Sequence, residues 1–313
     1  MKKNKKYSGV IVPTVTPLLA DYSLDQTAVE NLFNYLRQHN TLPFILGTTG
    51  ESASLPLGLK KEFIQLAGKL KQPGDVFYAG IASNCLSESV ELAKISFDAG
   101  LDVVATHLPS YYALTQDQIK KYFETLADQV PGPLIIYNIP ATTHTSIPLQ
   151  IIEGLSYHEN IVGTKDSERS EERLQESLRL WAHREDFSHF LGWAAQSANA
   201  LFNGSDGLIP STGNLHPGVY QQMVQAVQAG DREKAFRLQD MSDKLGNLYQ
   251  KGRTLGDSLG ALKTLMNQIG LCQPYLMPPL QTLPENEQKA LQQELQKIIK
   301  EEAIPFNLQL THV

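Results

Sequence analysis

Along roughly the first 230 residues, short continuous apolar runs alternate with longer stretches in which apolar positions recur every three to four residues. The runs cover residues 9–12, 44–46, 76–81, 103–105, 134–137, 161–165, 187–191 and 207–209. Between them, Leu59, Phe63, Leu66 and Leu70 fall on one helical face, as do Ile119, Tyr122, Phe123 and Leu126. Thr115 with Gln118 forms a capping-box signature at the start of the second of these helices. Runs this evenly apolar have no wet face, so they predict parallel strands covered on both sides. Eight such strand-helix units predict a closed (β/α)8 TIM barrel of the α/β class. An open doubly wound sheet is the alternative, but no G-x-G-x-x-G follows the first run and eight regular units are excessive for it. Beyond about residue 230 the strand signal stops, and 232–249, 258–269 and 285–300 read as helices. The expected organisation is a barrel carrying the active site over 1–230 and a C-terminal helical extension over 231–313 packed on it.

A barrel of this kind places its chemistry at the C-terminal ends of its strands. The residues there are Thr14 and Thr16, the turn Gly47-Thr48-Thr49-Gly50-Glu51, Ser83 and Asn84, Thr106 and His107, Tyr137 and Asn138, Lys165, Gly192 and Trp193, then Ile209, Ser211 and Thr212. Lys165 stands out. It ends an apolar run where a charge gains nothing structurally, and an ammonium near a low-dielectric core loses hydration, which lowers its pKa and leaves a nucleophilic amine. The bland alternative is a lysine that extends its stem to reach solvent. Tyr137 ends the preceding run, so the two belong to neighbouring strands about 4.8 Å apart. Side-chain alternation puts Lys165 on one face with Gly163 and Ile161, and lets both polar tips enter the barrel mouth. A tyrosine there would move protons for an imine-forming lysine; otherwise it is a half-buried ring with a wet hydroxyl. The Gly47–Gly50 turn offers backbone amides and two hydroxyls suited to a carboxylate, or is simply a tight turn before a helix. Phosphate is disfavoured, because neither this turn nor the Gly204–Gly207 and Gly213-Asn214 loops carry a cation. Asp166 should face away from Lys165 and make a structural hydrogen bond.

Composition narrows the field. A net charge of −6 without a clustered basic face argues against a nucleic-acid partner. Lys2, Lys3, Lys5 and Lys6 form one basic cluster, which reads as a frayed, solvated tail with no signal-peptide pattern after it. No window approaches the roughly 18–20 apolar residues of a membrane span, so a cytoplasmic protein without a membrane partner is expected. Cys85 and Cys272 are isolated in sequence and read as packed thiols. The eight histidines show neither H-x-H nor H-E-x-x-H spacing; His107 and Asp166 alone tempt a metal reading, and no metal or cofactor is expected.

Together the ordered motifs Val12-Pro13-Thr14-Val15-Thr16-Pro17, GTTGES at 47–52, Tyr137-Asn138-Ile139-Pro140, Gly163-Thr164-Lys165-Asp166, and Gly204-Ser205-Asp206-Gly207 with Asn214 resemble one family. It is the pyruvate-dependent class I aldolases that include dihydrodipicolinate synthase and N-acetylneuraminate lyase, and the likeness spans roughly residues 8–220. The resemblance implies that Lys165 forms a Schiff base with the keto carbon of a 2-oxo acid and that Tyr137 shuttles protons. Thr48 and Thr49, with Gly47 and Gly50, would hold the carboxylate and link to Tyr137. Tyr111, or its neighbour Tyr112, would reach into a neighbouring subunit's site. The family is typically a homotetramer, a dimer of dimers, with C-terminal helices helping assembly.

Two departures bear on the second substrate. Where dihydrodipicolinate synthases carry an arginine two residues past the YNxP motif, this chain has Thr142, which cannot replace a bidentate guanidinium. Where sialic-acid lyases carry acidic residues after the seventh strand, this chain has Gly192-Trp193-Ala194-Ala195-Gln196. A smaller or more apolar aldehyde is expected, with Ser211 and Thr212 left to contact hydroxyls and Trp193 either lining the site or packing beneath the loop. The expected function is a metal-independent lyase joining or cleaving a 2-oxo acid, pyruvate above all, and an aldehyde, in the manner of a 2-keto-3-deoxy-acid aldolase. The alternatives are dihydrodipicolinate synthase proper, a dehydratase or hydratase-aldolase on a related 2-oxo acid, and a non-catalytic 2-oxo acid sensor.

Overall fold

The computed structural model describes residues 5–304. Eight parallel strands, β1 (Gly9–Pro13), β2 (Leu42–Ile45), β3 (Tyr78–Gly80), β4 (Val103–Thr106), β5 (Leu134–Asn138), β6 (Ile161–Asp166), β7 (Ser188–Leu191) and β8 (Gly207–Leu208), pair in chain order and close between β8 and β1. The helices among them are α1 (Gln26–Gln38), α2 (Leu57–Leu70), α3 (Leu86–Asp98), α4 (Gln116–Gln129), α5 (Pro140–Thr143), α6 (Leu149–Leu155), α7 (Glu171–Trp181) and α8 (Ser197–Phe202). After β8 come α9 (Pro217–Gln228), α10 (Arg232–Gln250), α11 (Leu255–Gln268) and α12 (Glu285–Glu301). The eight-unit barrel read from the apolar runs is therefore present. The Thr115–Gln118 capping box is present too, with both of its reciprocal hydrogen bonds.

Alternation along the strands divides the core. Ile11, Phe44, Tyr78, Val103, Ala105, Ile135, Phe190 and Ile209 form one cluster inside the barrel. Their neighbours Val10, Val12, Ile45, Ala79, Val104, Ile136 and Leu191 pack outward against the helices. Each fully buried Val, Ile, Leu or Phe among them is worth roughly 1.5–3 kcal/mol. β8 contributes only two residue pairs to each neighbour, and the closure there is extended by backbone hydrogen bonds from Gly9 to Asp206 and from Ile209 to Leu191 and by the packing of Phe190 and Ile209.

Strand β6 departs from simple alternation. Leu134 pairs with Ile161 but Ile135 pairs with Gly163, so Val162 is an inserted residue. Val162 packs against the interior cluster while Ile161 joins the helix-facing one. The expected shared face of Ile161 and Lys165 is thus corrected: the bulge turns Ile161 outward and leaves Gly163 and Lys165 facing in. Gly163 has no room for more, since a Cβ would stand 2.6 Å from the Ser188 carbonyl oxygen.

Both ends of the described segment are tied to the barrel. Lys5 is not part of a solvated tail. Its Nζ donates to the carbonyls of Phe187 (2.8 Å) and Trp181 (3.1 Å) and pairs with Asp206 at 2.7 Å. Asp206 also accepts from the amide of His189, which fixes the ion pair under β7. Lys2 and Lys3 lie outside the described residues. At the other end, Leu245, Leu262, Leu265, Leu291 and Leu295 share a core with Val15, Ala28, Leu32 and Leu215. Cys272 is a packed thiol, but Cys85 is exposed at the start of α3, which corrects that reading of it. No described helix is long and apolar enough to cross a membrane.

Candidate active site

Lys165 lies at the inward-facing end of β6, directly opposite Tyr137 on β5. It is 3% exposed, with Nζ 3.9 Å from the Tyr137 ring centroid and 5.0 Å from that of Phe44. Snorkelling into solvent is thereby ruled out for this side chain. Burial pulls the ammonium pKa below its ordinary value, while the Tyr137 side chain works in the opposite direction. The aromatic faces favour the cation only weakly compared with the water it has lost, so the direction is down. Asp166, next in sequence, points away as expected. It accepts from Arg173 Nε (2.6 Å), Asn138 Nδ2 (3.1 Å) and the amide of Glu168 (2.9 Å), a network that fastens the start of the β6–α7 loop.

The Gly47–Gly50 turn reaches the mouth because the chain reverses sharply after β2. Leu46 and Glu51, which flank it, have φ of 56° and 59°, in the left-handed region; this is why β2 ends at Ile45, one residue before the apolar run does. The turn is pressed against β3, where a Cβ on Gly80 would meet the Leu46 carbonyl oxygen at 2.1 Å. Its internal hydrogen bonds are donated by Gly50, Glu51 and Ser52. Among the described residues none consumes the amides of Thr48 or Thr49, which remain available to an anion. Thr48 Oγ1 shares a 3.4 Å hydrogen bond with the Tyr137 hydroxyl, the link expected between turn and tyrosine.

His107 stands over Tyr137, edge to face at 5.9 Å between centroids. Its Nδ1 bonds the Leu108 carbonyl at 2.8 Å, so the neutral ring donates there and keeps Nε2 as an acceptor. Burial first, then the positive charges of Lys165 and Lys60, hold its pKa below the ordinary histidine value against the Leu108 bond. Neither it nor Asp166 belongs to a metal-ligand cluster; among the described residues no three His, Cys, Asp or Glu side chains gather in that way.

The other expected site residues are spread around the rim. Thr142, on α5, turns its hydroxyl back to the Ile139 carbonyl at 3.3 Å. Gly192 abuts the end of β6, where a Cβ would strike Ser167 Oγ at 2.1 Å. Trp193 is half-buried and packs on the cluster of β1, β7, α9 and α10. Ile209 belongs to the interior cluster beside Phe44. Ser211 Oγ is bonded to the Tyr249 hydroxyl at 2.7 Å, so α10 supports that corner. Tyr111 and Tyr112 are 78% and 75% exposed, and their rings meet edge to face. Residue-by-residue reading missed Lys263, on α11, whose ammonium is 2.5 Å from Glu51 of the turn. The signal was the single charged residue in the predicted helix 258–269.

A sequence profile of the dihydrodipicolinate synthetase family matches residues 6–298. The chain is 29% identical to 4-hydroxy-tetrahydrodipicolinate synthase of Alkalilimnicola ehrlichii, over 92% of this chain and 97% of that protein. It is 30% identical to an uncharacterised DapA-like lyase of Pyrococcus abyssi, over 87% and 91%. Among solved structures it is similar to dihydrodipicolinate synthase from Bacteroides thetaiotaomicron, with a TM-score of 0.89 and 29% identity over 94% of this chain and all of that one. It is also similar to YagE, a prophage protein of the dihydrodipicolinic acid synthase family from E. coli, solved in complex with pyruvate. There the TM-score is 0.88 and the identity 25%, over 94% and 99% of the two chains.

Proposed function

This chain belongs to the dihydrodipicolinate synthetase family, whose members are pyruvate-dependent lyases, and from that premise we propose that Lys165 is the imine-forming residue of a class I aldolase acting on pyruvate and an aldehyde. The observation that carries the reading is the buried Lys165 amine against Tyr137, with Tyr137 joined to Thr48 of a turn whose Thr48 and Thr49 amides are free. The neutral amine attacks the keto carbon of the 2-oxo acid, and Tyr137 passes protons so that the carbinolamine loses water. In cleavage, Tyr137 takes the proton of the C4 hydroxyl, the C3–C4 bond breaks, and its electron pair moves into the protonated imine to give an enamine. The aldehyde departs, C3 is protonated, and water releases pyruvate from Lys165. Condensation is the reverse sequence. Thr48 and Thr49, between Gly47 and Gly50, hold the carboxylate throughout.

The acceptor side is formed by Thr142, Gly192, Trp193, Ile209 and Ser211. Thr142 spends its hydroxyl on its own helix, which supports an acceptor that carries no second carboxylate at that position. The exposed Tyr111 and Tyr112 pair supports a homotetramer in which Tyr111 completes a neighbour's proton relay. A panel of 4-hydroxy-2-oxo acids, assayed by pyruvate release, tests the function: turnover of a deoxy-sugar acid or simpler analogue is expected. Efficient condensation of pyruvate with aspartate semialdehyde and no cleavage of the panel would favour dihydrodipicolinate synthase instead. Sedimentation velocity tests the assembly.

A further inference from the structure

The turn bearing Thr48 and Thr49 is fastened at Glu51, and the fastening comes from the far end of the chain. Glu51 is buried in a left-handed conformation, with its carboxylate 2.5 Å from Lys263 Nζ. It also accepts from the amide of Met277 at 2.8 Å, while Lys263 donates to the Tyr275 carbonyl at 2.6 Å. Neither side chain of the pair has any exposed surface. On the opposite side, Thr16 Oγ1 donates to the Gly50 carbonyl at 2.7 Å. The turn is thus held between the segment that follows β1 and a charged clamp built from α11 and the segment after it.

Stability alone is a poor reason for such a pair, since apolar side chains of similar volume would fill the space without desolvating two charges. An ion pair with hydrogen bonds on both partners adds direction, which apolar packing lacks. Glu51 is two residues from Thr49, so a shift of its carboxylate moves the amides that face the substrate. We propose that Glu51 and Lys263 are positioning residues that set the Thr48–Thr49 turn for the carboxylate of the 2-oxo acid, without touching substrate. The inference rests on the assignment of that turn as the carboxylate site and of Lys165 as the imine former.

The test titrates pyruvate against the wild type, Glu51→Gln and Lys263→Met, trapping the Lys165 imine with borohydride and reading the adduct by mass. Both substitutions are expected to raise the half-saturating pyruvate concentration about tenfold, with labelling at saturation equal to the wild type. A fall in thermal midpoint with unshifted half-saturation overturns the clamp. So does a loss of maximal labelling without a shift. An unlabelled wild type overturns the site assignment beneath it, and the clamp with it. Amide exchange of the wild type gives a check that needs no variant to fold. Pyruvate is expected to slow exchange at Met277 together with residues 47–51, and slowing confined to 47–51 contradicts the coupling.

Discussion

Lys165 and Lys263 are both buried lysines in apolar elements, yet their surroundings assign them opposite tasks. Lys263 has the Glu51 carboxylate 2.5 Å away and a carbonyl within hydrogen-bond reach; Lys165 has aromatic faces and, among the described residues, no ion-pair partner, and burial drives it toward the neutral amine. Between its folded and unfolded pKa values Lys165 binds fewer protons in the folded state, so its burial opposes folding as pH falls through that window. The same depression sets a kinetic expectation: the imine-forming rate with pyruvate rises with pH and levels off below the ordinary lysine value of 10.5. A rate still climbing at that pH would mean that desolvation does not activate the amine. Tyr137→Phe keeps the ring under Lys165 but removes the proton relay. Turnover should fall by about 10²–10⁴ while the borohydride adduct still forms, and an unchanged kcat would remove Tyr137 from the chemistry. Lys165 and Tyr137 were legible because a charge and a hydroxyl ended adjacent apolar runs. Lys263 was not, because its partner lies 212 positions away (263 − 51) and only the fold brings them together.

At the scale of the elements, the strands could be read because both of their faces are dry, which leaves unbroken apolar runs. Two features of their ends could not. The left-handed turn at Leu46 shortens β2, and the inserted Val162 rotates Ile161 out of the barrel; neither has a local composition that marks it. Close approach between elements carries a prediction of its own. At the end of β3, Gly80→Ala places a methyl 2.1 Å from the Leu46 carbonyl, one residue before the carboxylate turn. Backbone cannot yield as a flexible side chain does, so a loss of about 1–3 kcal/mol is expected, with weaker pyruvate binding. Urea unfolding and the pyruvate titration measure the two effects, and a variant normal in both would show that the turn tolerates displacement. In α4 the matching prediction concerns stability only. Thr115→Ala removes the capping box and should cost about 1 kcal/mol with no change in pyruvate affinity.

For the molecule as a whole, the helices after residue 231 complete the core rather than decorate it. Val15, Leu32 and Leu215 of the barrel are buried against α10, α11 and α12, so a chain ending at residue 230 should expose them, bind a hydrophobic dye and lose its cooperative unfolding transition. A soluble, cooperatively folding truncation would refute this. Two deeply buried histidines contribute to the global response to acid. Burial lowers His189 to about 3 and His216 to about 4. Below the ordinary value of 6.5 the unfolded chain takes up protons that the folded one refuses, so stability falls as pH drops from 6.5 toward 4. The loss should be on the order of a few kcal/mol by urea unfolding, and a flat profile over that range would contradict it. All of these supports serve one buried amine, and the intact protein can be asked directly about it. The chain is incubated with pyruvate, reduced with borohydride, weighed and digested. The account predicts one added pyruvate-derived group per chain, mapped to Lys165; no adduct, or an adduct on another lysine while Lys165 stays unmodified, would contradict it.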